Sequence, residues 1–205
     1  MPASQPIPAS DGRMPPAALL DANVLFPTVL REILGDLAEA GLFTPIWSER
    51  ILAEWVHSAQ KLGADQAARA GAEAALLRLR FPLASLPVTD EAGLGVQLPD
   101  AGDLHVVAAA LAGEARVIVT ANLRDFPPRV LARLGLHAVH PDEFLTQFMD
   151  ASPDAVIEAV DAALARAISA GGMLSRKDLL KRARLPRLSK AIERFGPMTE
   201  QKRKA

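Results

Sequence analysis

Hydrophobic residues recur along the chain in two patterns, short apolar runs and longer stretches with a helical period. The short runs predict strands at residues 17–20, 42–46, 84–88, 116–120 and 137–139. The helical period predicts helices at residues 27–40, 48–62, 65–80, 104–112, 128–134 and 142–149. Strands that alternate with helices indicate an α/β protein with a central parallel sheet and right-handed crossovers.

The last part of the chain has a helical pattern only. Apolar residues recur every fourth position from Val156 to Ile168, after a Ser152-Pro153 pair that is typical of a helix start. Ser175 and Asp178 are spaced as in a capping box, and one last short helix is predicted beyond them. We therefore expect an α/β domain at 17–149 and an all-helical C-terminal extension at 150–205.

Composition excludes several classes of protein. Residues 1–16 contain five prolines and few hydrophobic residues, which predicts a disordered segment without the apolar run of a signal peptide. No apolar run approaches the ~20 residues that cross a bilayer. The absence of cysteine excludes a disulfide framework and a thiolate metal site. We expect a cytoplasmic protein with no membrane segment.

The net charge of the chain is −1, but the charged residues are distributed unevenly along it. Residues 151–205 carry 12 basic and 6 acidic side chains, which leaves 11 basic and 18 acidic ones in the first 150 residues. An acidic body with a basic tail suggests a carboxylate-rich site beside a segment that favours phosphate or an acidic protein. An ordinary solvated helix surface would explain the basic residues equally well, so both interpretations stay open.

Polar residues gather where predicted strands end. Asp21 closes the first strand, and Asn122 and Asp125 follow the strand at 116–120. Asp103 opens the apolar helix at 104–112, and Glu54 lies roughly 125° from the centre of its helix's apolar stripe. Because sites in open parallel sheets form outside the carboxyl ends of the strands, we expect these residues to approach one another.

Such a cluster needs a cation, because neighbouring carboxylates repel each other. Oxygen ligands without cysteine favour a hard ion, Mg²⁺ or Mn²⁺, which suits attack of water on a phosphorus atom. Each acid also has a structural alternative. Asp103 is a candidate helix N-cap, Asp21 a candidate turn residue, Glu54 a candidate solvated position, and Asp125 a candidate turn cap.

Four segments together carry a family resemblance over residues 18–148. They are LLDANVL around Asp21, ILAE ending at Glu54, PDAGDLHVVAAA around Asp103, and IVTANLRDF around Asn122. In this order they resemble a PIN domain of the kind found in VapC-type toxins of bacterial toxin–antitoxin pairs, in a longer subgroup that carries a helical extension. The resemblance implies a three-layer α/β/α fold and a metal-dependent ribonuclease.

The resemblance also implies roles for individual residues. It matches the family's metal-binding acids to Asp21, Glu54 and Asp103. The family's fourth acidic position falls at Asn122, an amide, so Asp125 or Asp100 becomes a candidate for the missing charge. Asn23 and Thr120 match accessory polar positions that orient an acid or a phosphate. Basic residues of the extension are candidates for RNA contacts, namely Arg176, Lys177, Lys181 and Arg182.

Three functions are compared on this basis. The first is an RNA-cleaving toxin with a small antitoxin protein that covers the carboxylate groove; self-association through the early helices is left open. The second is a non-catalytic RNA- or protein-binding module with a degraded metal site. Asn122 supports this alternative, because it is an amide at a position where the family has an acid. The third, an aspartate-nucleophile phosphatase, ranks last because residue 23 is not acidic. His57 and His105 lack metal-ligand spacing, so we expect solvated or hydrogen-bonded roles for them.

Overall fold

The computed structural model of the protein describes residues 15–87 and 94–203, with side chains described up to residue 196. Its strands are β1 (Ala17–Leu20), β2 (Thr44–Ser48), β3 (Ser85–Leu86), β4 (Val117–Val119) and β5 (His137–Val139). Its helices are α1 (Ala22–Leu25), α2 (Thr28–Glu39), α3 (Glu49–Gln60), α4 (Ala64–Arg80), α5 (Leu104–Ala112), α6 (Pro128–Leu131), α7 (Pro141–Thr146), α8 (Pro153–Ser169), α9 (Arg176–Arg182) and α10 (Pro186–Arg203).

The strands form one parallel sheet in the order β3-β2-β1-β4-β5. Leu19 of β1 is in register with Ile46 on one side and with Ile118 on the other. The chain leaves β1 toward β2 and returns to its other side at β4, so the order of strands reverses at β1. This sheet, followed later in the chain by helices α8 to α10, confirms the predicted fold class of an α/β protein with a helical extension.

The chain divides into two compact units. The first comprises Met1–Phe26 and Gly41–His140 and contains the sheet with α1 and α3 to α6. The second comprises Pro27–Ala40 and Pro141–Ala205 and contains α2 and α7 to α10. The domain limits expected from the sequence, 17–149 and 150–205, stay a prediction. The segment predicted to be disordered lies, from residue 1 to residue 14, outside the described residues.

Local sequence explains the helices of the first unit. Ser48 begins α3 as its N-cap, since its hydroxyl oxygen accepts a 3.2 Å hydrogen bond from the backbone N–H of Ile51. The apolar face of α3 is buried, with Trp55 2% exposed, and Trp47 on β2 is fully buried. Helix α5 is buried along most of its length, as an almost wholly apolar sequence requires. Both tryptophans are therefore core residues.

Charged side chains connect helices within the second unit. Arg166 of α8 donates to Glu32 and Asp36 of α2, at 2.9 and 2.5 Å, which ties an early helix to a late one. Asp142 of α7 is 4% exposed, and its two carboxylate oxygens accept hydrogen bonds from the first backbone N–H groups of α10 at 2.9 and 3.0 Å. Asp142 thus caps α10 from a separate helix, satisfying donors that a helix start leaves unpaired.

The structure differs from some local expectations. Ser152 makes no side-chain cap bond at the start of α8, whereas the hydroxyl oxygen of Ser175 accepts from the N–H of Asp178 at 3.1 Å. The last helix is long, not short, because α10 runs for 18 residues. The strand expected at 84–88 is Ser85–Leu86, and residue 88 lies outside the described residues. No helix in the described part of the chain has the length and apolarity to span a bilayer.

Candidate active site

Asp21 stands at the point of the sheet where the strand order reverses. It follows β1 directly, and its backbone N–H donates to the carbonyl of Val119 on β4 at 3.1 Å. The register of Leu20 with Val119 places Asp21 beside Thr120, the residue that follows β4. Crevices outside the carboxyl ends of strands at such a reversal are the usual binding sites of open α/β sheets.

A hydrogen-bond network holds one oxygen of the Asp21 carboxylate. Asn23 Nδ2 donates to Oδ2 at 2.5 Å, and the hydroxyl of Thr120 donates to the same oxygen at 2.8 Å. Asn23 also donates to the Thr120 hydroxyl oxygen at 2.9 Å. Asp21 and Thr120 are buried. Both side-chain donors contact Oδ2, and the backbone N–H of Ala22 also donates to this carboxylate. Among the described residues, Oδ1 has no side-chain donor.

Burial is the main electrostatic influence on Asp21. It raises the pKa of the carboxyl above its ordinary value of 3.8, although the hydrogen bond from Thr120 opposes it. The nearby carboxylate of Glu54 raises the pKa further. An acid buried beside other acids is stabilised when a cation enters.

Asp103 begins α5 without capping it. Its backbone is helical and its side chain makes no cap hydrogen bond. The acid that does cap the preceding turn is Asp100, whose Oδ1 accepts from the N–H of Gly102 at 2.8 Å. The alternative interpretation of Asp103 as an N-cap is therefore wrong, and its carboxylate is left for another role.

Asp103 has the most strongly perturbed carboxyl of the site. Burial is the largest cause, and together with the charges of Asp21, Asp125 and Asp100 it raises the pKa of Asp103 to about 6. Burial combined with repulsion by neighbouring acids is characteristic of carboxylates at functional sites.

Glu54 lies on the exposed side of α3, where its carboxylate meets two cationic or polar groups. Arg50 Nε donates to Oε1 at 3.3 Å, and the Nε2 atom of His105 lies 3.0 Å from the same oxygen. The His105 distance is that of an ion pair, but the ring is not aligned for a hydrogen bond. Burial raises the pKa of Glu54, yet His105 and Arg50 outweigh it, so the pKa falls below 4.5.

These acids line one hollow of about 430 Å³ in the first unit. Its lining residues are Asp21, Ala22, Asn23, Phe26, Glu54, His57, Ser58, Asp103, Asn122 and Phe126. Three acids from three separate segments thus face one space. Asp125 and Asp100 do not line it; Asp125 accepts a hydrogen bond from the amide of Asn122, and Asp100 caps its own turn.

The basic residues expected to contact RNA belong to the second unit. Arg176 donates twice to Asp161, each time at 2.7 Å, and Lys177 lies 3.5 Å from Glu193. Lys181 and Arg182 occupy the last turn of α9 and are exposed. Their RNA-binding role stays a prediction, and two of the four already have acidic partners.

The hollow is lined by oxygen-bearing side chains, the ligands that hard divalent cations prefer. In the described part of the chain, no group of three or more His, Cys, Asp or Glu side chains is arranged to hold a metal ion. Mg²⁺ nevertheless keeps several waters and takes only one or two carboxylates directly. Asp21 and Asp103 supply oxygen donors of that kind, and both have raised pKa values that a cation would reverse. The donor set therefore fits Mg²⁺ or Mn²⁺.

Two residues of the site were missed by sequence reasoning. His105 was expected to be solvated or hydrogen-bonded, but it is 3% exposed and neither ring nitrogen has an aligned partner. The available signal was its place on a helix that is otherwise apolar. Arg50, which also reaches the carbonyl of Gly102 at 3.2 Å, sits one turn before Glu54. That spacing allows an i,i+4 contact, which was a usable signal.

Comparison with known proteins assigns the chain to a family. The family model described as PIN domain matches residues 17–124, more than half of the chain, so the chain belongs to the PIN-domain family. It is also similar to "Putative ribonuclease VapC50" of Mycobacterium tuberculosis, with 42% identity over 64 residues. That match covers 29% of this chain and 38% of the relative. No solved structure matches the chain significantly. The predicted likeness to PIN-domain, VapC-type proteins is confirmed.

Proposed function

We propose that this protein is a ribonuclease that depends on a divalent cation. One observation carries the proposal: Asp21, Glu54 and Asp103 come from three distant segments and line one hollow at the carboxyl edge of a parallel sheet. The relative's printed name, a putative ribonuclease, supports RNA as the substrate class. The relative is matched over less than half its length, so the activity is our proposal for this chain.

Asp21 and Asp103 would hold the cation directly, and Glu54, the third acid of the hollow, would face the cation and its waters. Asn23 and Thr120 donate hydrogen bonds to Oδ2 of Asp21 and so orient Oδ1. The side chain of Asp103 makes no cap hydrogen bond at the start of α5. Such supporting hydrogen bonds commonly set the orientation of a metal ligand. When bound, Mg²⁺ or Mn²⁺ supplies Lewis acidity at a phosphate oxygen and makes water more acidic.

Other residues of the hollow bind and orient the substrate. Glu54 is 42% exposed and keeps its charge at neutral pH, so it is able to accept a proton from water at the open side. The side chain of Asn122 lines the hollow and carries amide hydrogens, which suits a phosphate oxygen better than a second metal ion. We therefore assign Asn122 to substrate contact and leave the cation to the acids.

Cleavage of a labelled RNA by the full chain tests this proposal. We expect cutting with Mn²⁺ or Mg²⁺ that EDTA abolishes. Asp21→Asn and Asp103→Asn should lower the rate by two or more orders of magnitude, on the order expected when a metal ligand is lost. The matched control is Asp65→Asn, which removes an exposed carboxylate of α4. Equal rates for the parent and both site variants would refute the mechanism.

A toxin role in a toxin–antitoxin pair is the finer part of the proposal. It rests on the likeness to VapC-type proteins and on a hollow whose acidic lining suits an arginine from an inhibitor. Expression of the chain alone should arrest growth, and co-expression of the neighbouring gene product should restore it. Asp103→Asn expressed alone should be harmless. Unimpaired growth with an active nuclease would remove the toxin role and keep the ribonuclease.

The second candidate, a non-catalytic binding module, is favoured by one observation. Asn122 stands at the position of the family's fourth acid, and its amide donates a hydrogen bond to Asp125. Titration with Mn²⁺ separates the candidates. A binding isotherm that Asp21→Asn abolishes supports the nuclease, whereas RNA binding without any Mn²⁺ binding supports the module.

A further inference from the structure

His105 is a polar residue on a helix whose other buried residues are apolar. Its side chain is 3% exposed, and neither ring nitrogen has an aligned hydrogen-bond partner among the described residues. A buried polar group without a hydrogen bond costs free energy, so native proteins seldom keep one that does nothing. An apolar side chain at this position of α5 would avoid that cost.

The ring points its Nε2 atom at one particular oxygen. Nε2 lies 3.0 Å from Oε1 of Glu54, which is 42% exposed. The buried ring is held by the core, whereas the terminal torsion of a glutamate is broad and turns at little cost. Of the two side chains, the buried ring of His105 is therefore the more fixed, and the Glu54 carboxylate is the one that is able to turn toward it.

Arg50 approaches the same oxygen from the exposed side. Its Nε donates to Oε1 of Glu54 at 3.3 Å, and its Nη2 donates to the carbonyl of Gly102. The contacts of Arg50 Nε and His105 Nε2 with the Glu54 carboxylate are thus both to Oε1. Asp21 shows the same division, because both of its side-chain donors end on Oδ2.

We propose that His105 is a positioning residue that holds Oε1 of Glu54 through Nε2–H, so that Oε2 is presented to the cation and its waters in the hollow. This inference rests on the proposed function, since it assigns a support to one of the acids. Groups that orient metal ligands in this way typically contribute a factor of about 10 to 100 in metal affinity or activity.

Two amide variants test which ring nitrogen matters. In His105→Gln the side-chain nitrogen reaches the position of Nε2, whereas in His105→Asn it reaches that of Nδ1. Both variants bury an amide in the same place, so they bear similar folding costs. We expect His105→Gln to keep Mn²⁺ affinity within about threefold of the parent, and His105→Asn to lose about 10- to 100-fold. Electron paramagnetic resonance of free Mn²⁺ measures both.

A double-mutant cycle shows whether His105 acts through Glu54. His105→Asn is combined with Glu54→Gln, and Mn²⁺ affinity and RNA cleavage are measured for all four proteins. We expect the loss caused by His105→Asn to disappear in the Glu54→Gln background. We also expect kcat to fall with little change in KM for RNA. A general loss of folding would instead persist in both backgrounds and would appear in thermal unfolding of the metal-free proteins.

Several results would overturn the inference. Equal Mn²⁺ affinities for His105→Asn and His105→Gln would show that Nε2 has no special role. Nitrogen coupling in the spectrum of bound Mn²⁺, present in the parent and absent in His105→Leu, would make His105 a direct ligand instead. If the parent binds no Mn²⁺, the proposed function fails and the inference fails with it. Binding by the parent that His105→Asn leaves unchanged overturns the inference alone.

Discussion

Replacing Asp103 with asparagine should stabilise the metal-free protein while removing its function. Asparagine keeps the shape of the side chain and eliminates the charge that Asp21, Asp125 and Asp100 repel. Since Asp103 caps no helix, the substitution removes no hydrogen bond that supports α5. A carboxylate that is kept at a cost to stability is the expected mark of a functional acid.

The magnitude follows from the pKa. A rise from 3.8 to about 6 corresponds to roughly 3 kcal/mol between the two protonation states. Asp103 is only partly buried, so solvent screening reduces this to about 1 kcal/mol. The folded protein binds this proton more tightly than the unfolded chain does. The contribution of Asp103 to the stability of the parent is therefore most favourable below pH 3.8, declines as the pH rises toward 6, and is constant above.

Urea unfolding in EDTA at pH 4 and pH 7.5 measures the effect. We expect Asp103→Asn to exceed the parent by about 1 kcal/mol at pH 7.5, or about 2–4 °C in Tm, and to match it more closely at pH 4. With Mn²⁺ at 100 times its Kd the parent should gain about 2.7 kcal/mol, and the variant much less. A variant that is less stable than the parent at pH 7.5, or an equal difference at both pH values, would refute the reasoning.

Three further predictions concern hydrogen bonding and packing in the two units. Thr120→Val should lower the free energy of unfolding by about 1–3 kcal/mol and weaken Mn²⁺ binding, because the buried hydroxyl donates a hydrogen bond to Asp21. Unchanged Mn²⁺ binding in calorimetry would contradict this prediction. Gly113→Ala should cost about 1–3 kcal/mol in urea unfolding, since a Cβ would lie 2.6 Å from Ile46; an unchanged midpoint would contradict it. Asp142→Ala should lower the free energy of unfolding by about 1–3 kcal/mol, because it removes the cap of α10. Amide hydrogen exchange in the first turn of α10 measures the effect, and an unchanged exchange rate would count against the prediction.

The sheet and the position of Asp21 could be predicted from the pattern of residues. An apolar run that ends in an acid fixes where a strand stops, and a parallel sheet gathers such ends at one edge. The helix of Leu104–Ala112 was equally predictable, because nearly every residue in it is apolar. The roles assigned to Asp21, Glu54 and Asp103 stay predictions, although the structure brings all three to one hollow.

The contacts of the site depend on register, which a local pattern does not contain. Asn23 and Thr120 are 97 residues apart, and they meet because β1 pairs with β4 at one particular offset. Helix α2 likewise contacts a late helix, α8, whose Arg166 pairs with acids more than 100 residues earlier in the chain. Hydrophobic periodicity identifies the buried face of a helix but does not identify what covers it.

The central claim is that the acids of the hollow bind a divalent cation, and a crystal soaked in Mn²⁺ tests it most directly. The anomalous signal of manganese locates the ion without reference to activity. The account predicts a peak within about 2–2.3 Å of a carboxylate oxygen of Asp21 or Asp103, which is absent from crystals of Asp21→Asn. Mn²⁺ that binds only elsewhere on the protein, or a peak that survives in Asp21→Asn, would contradict it.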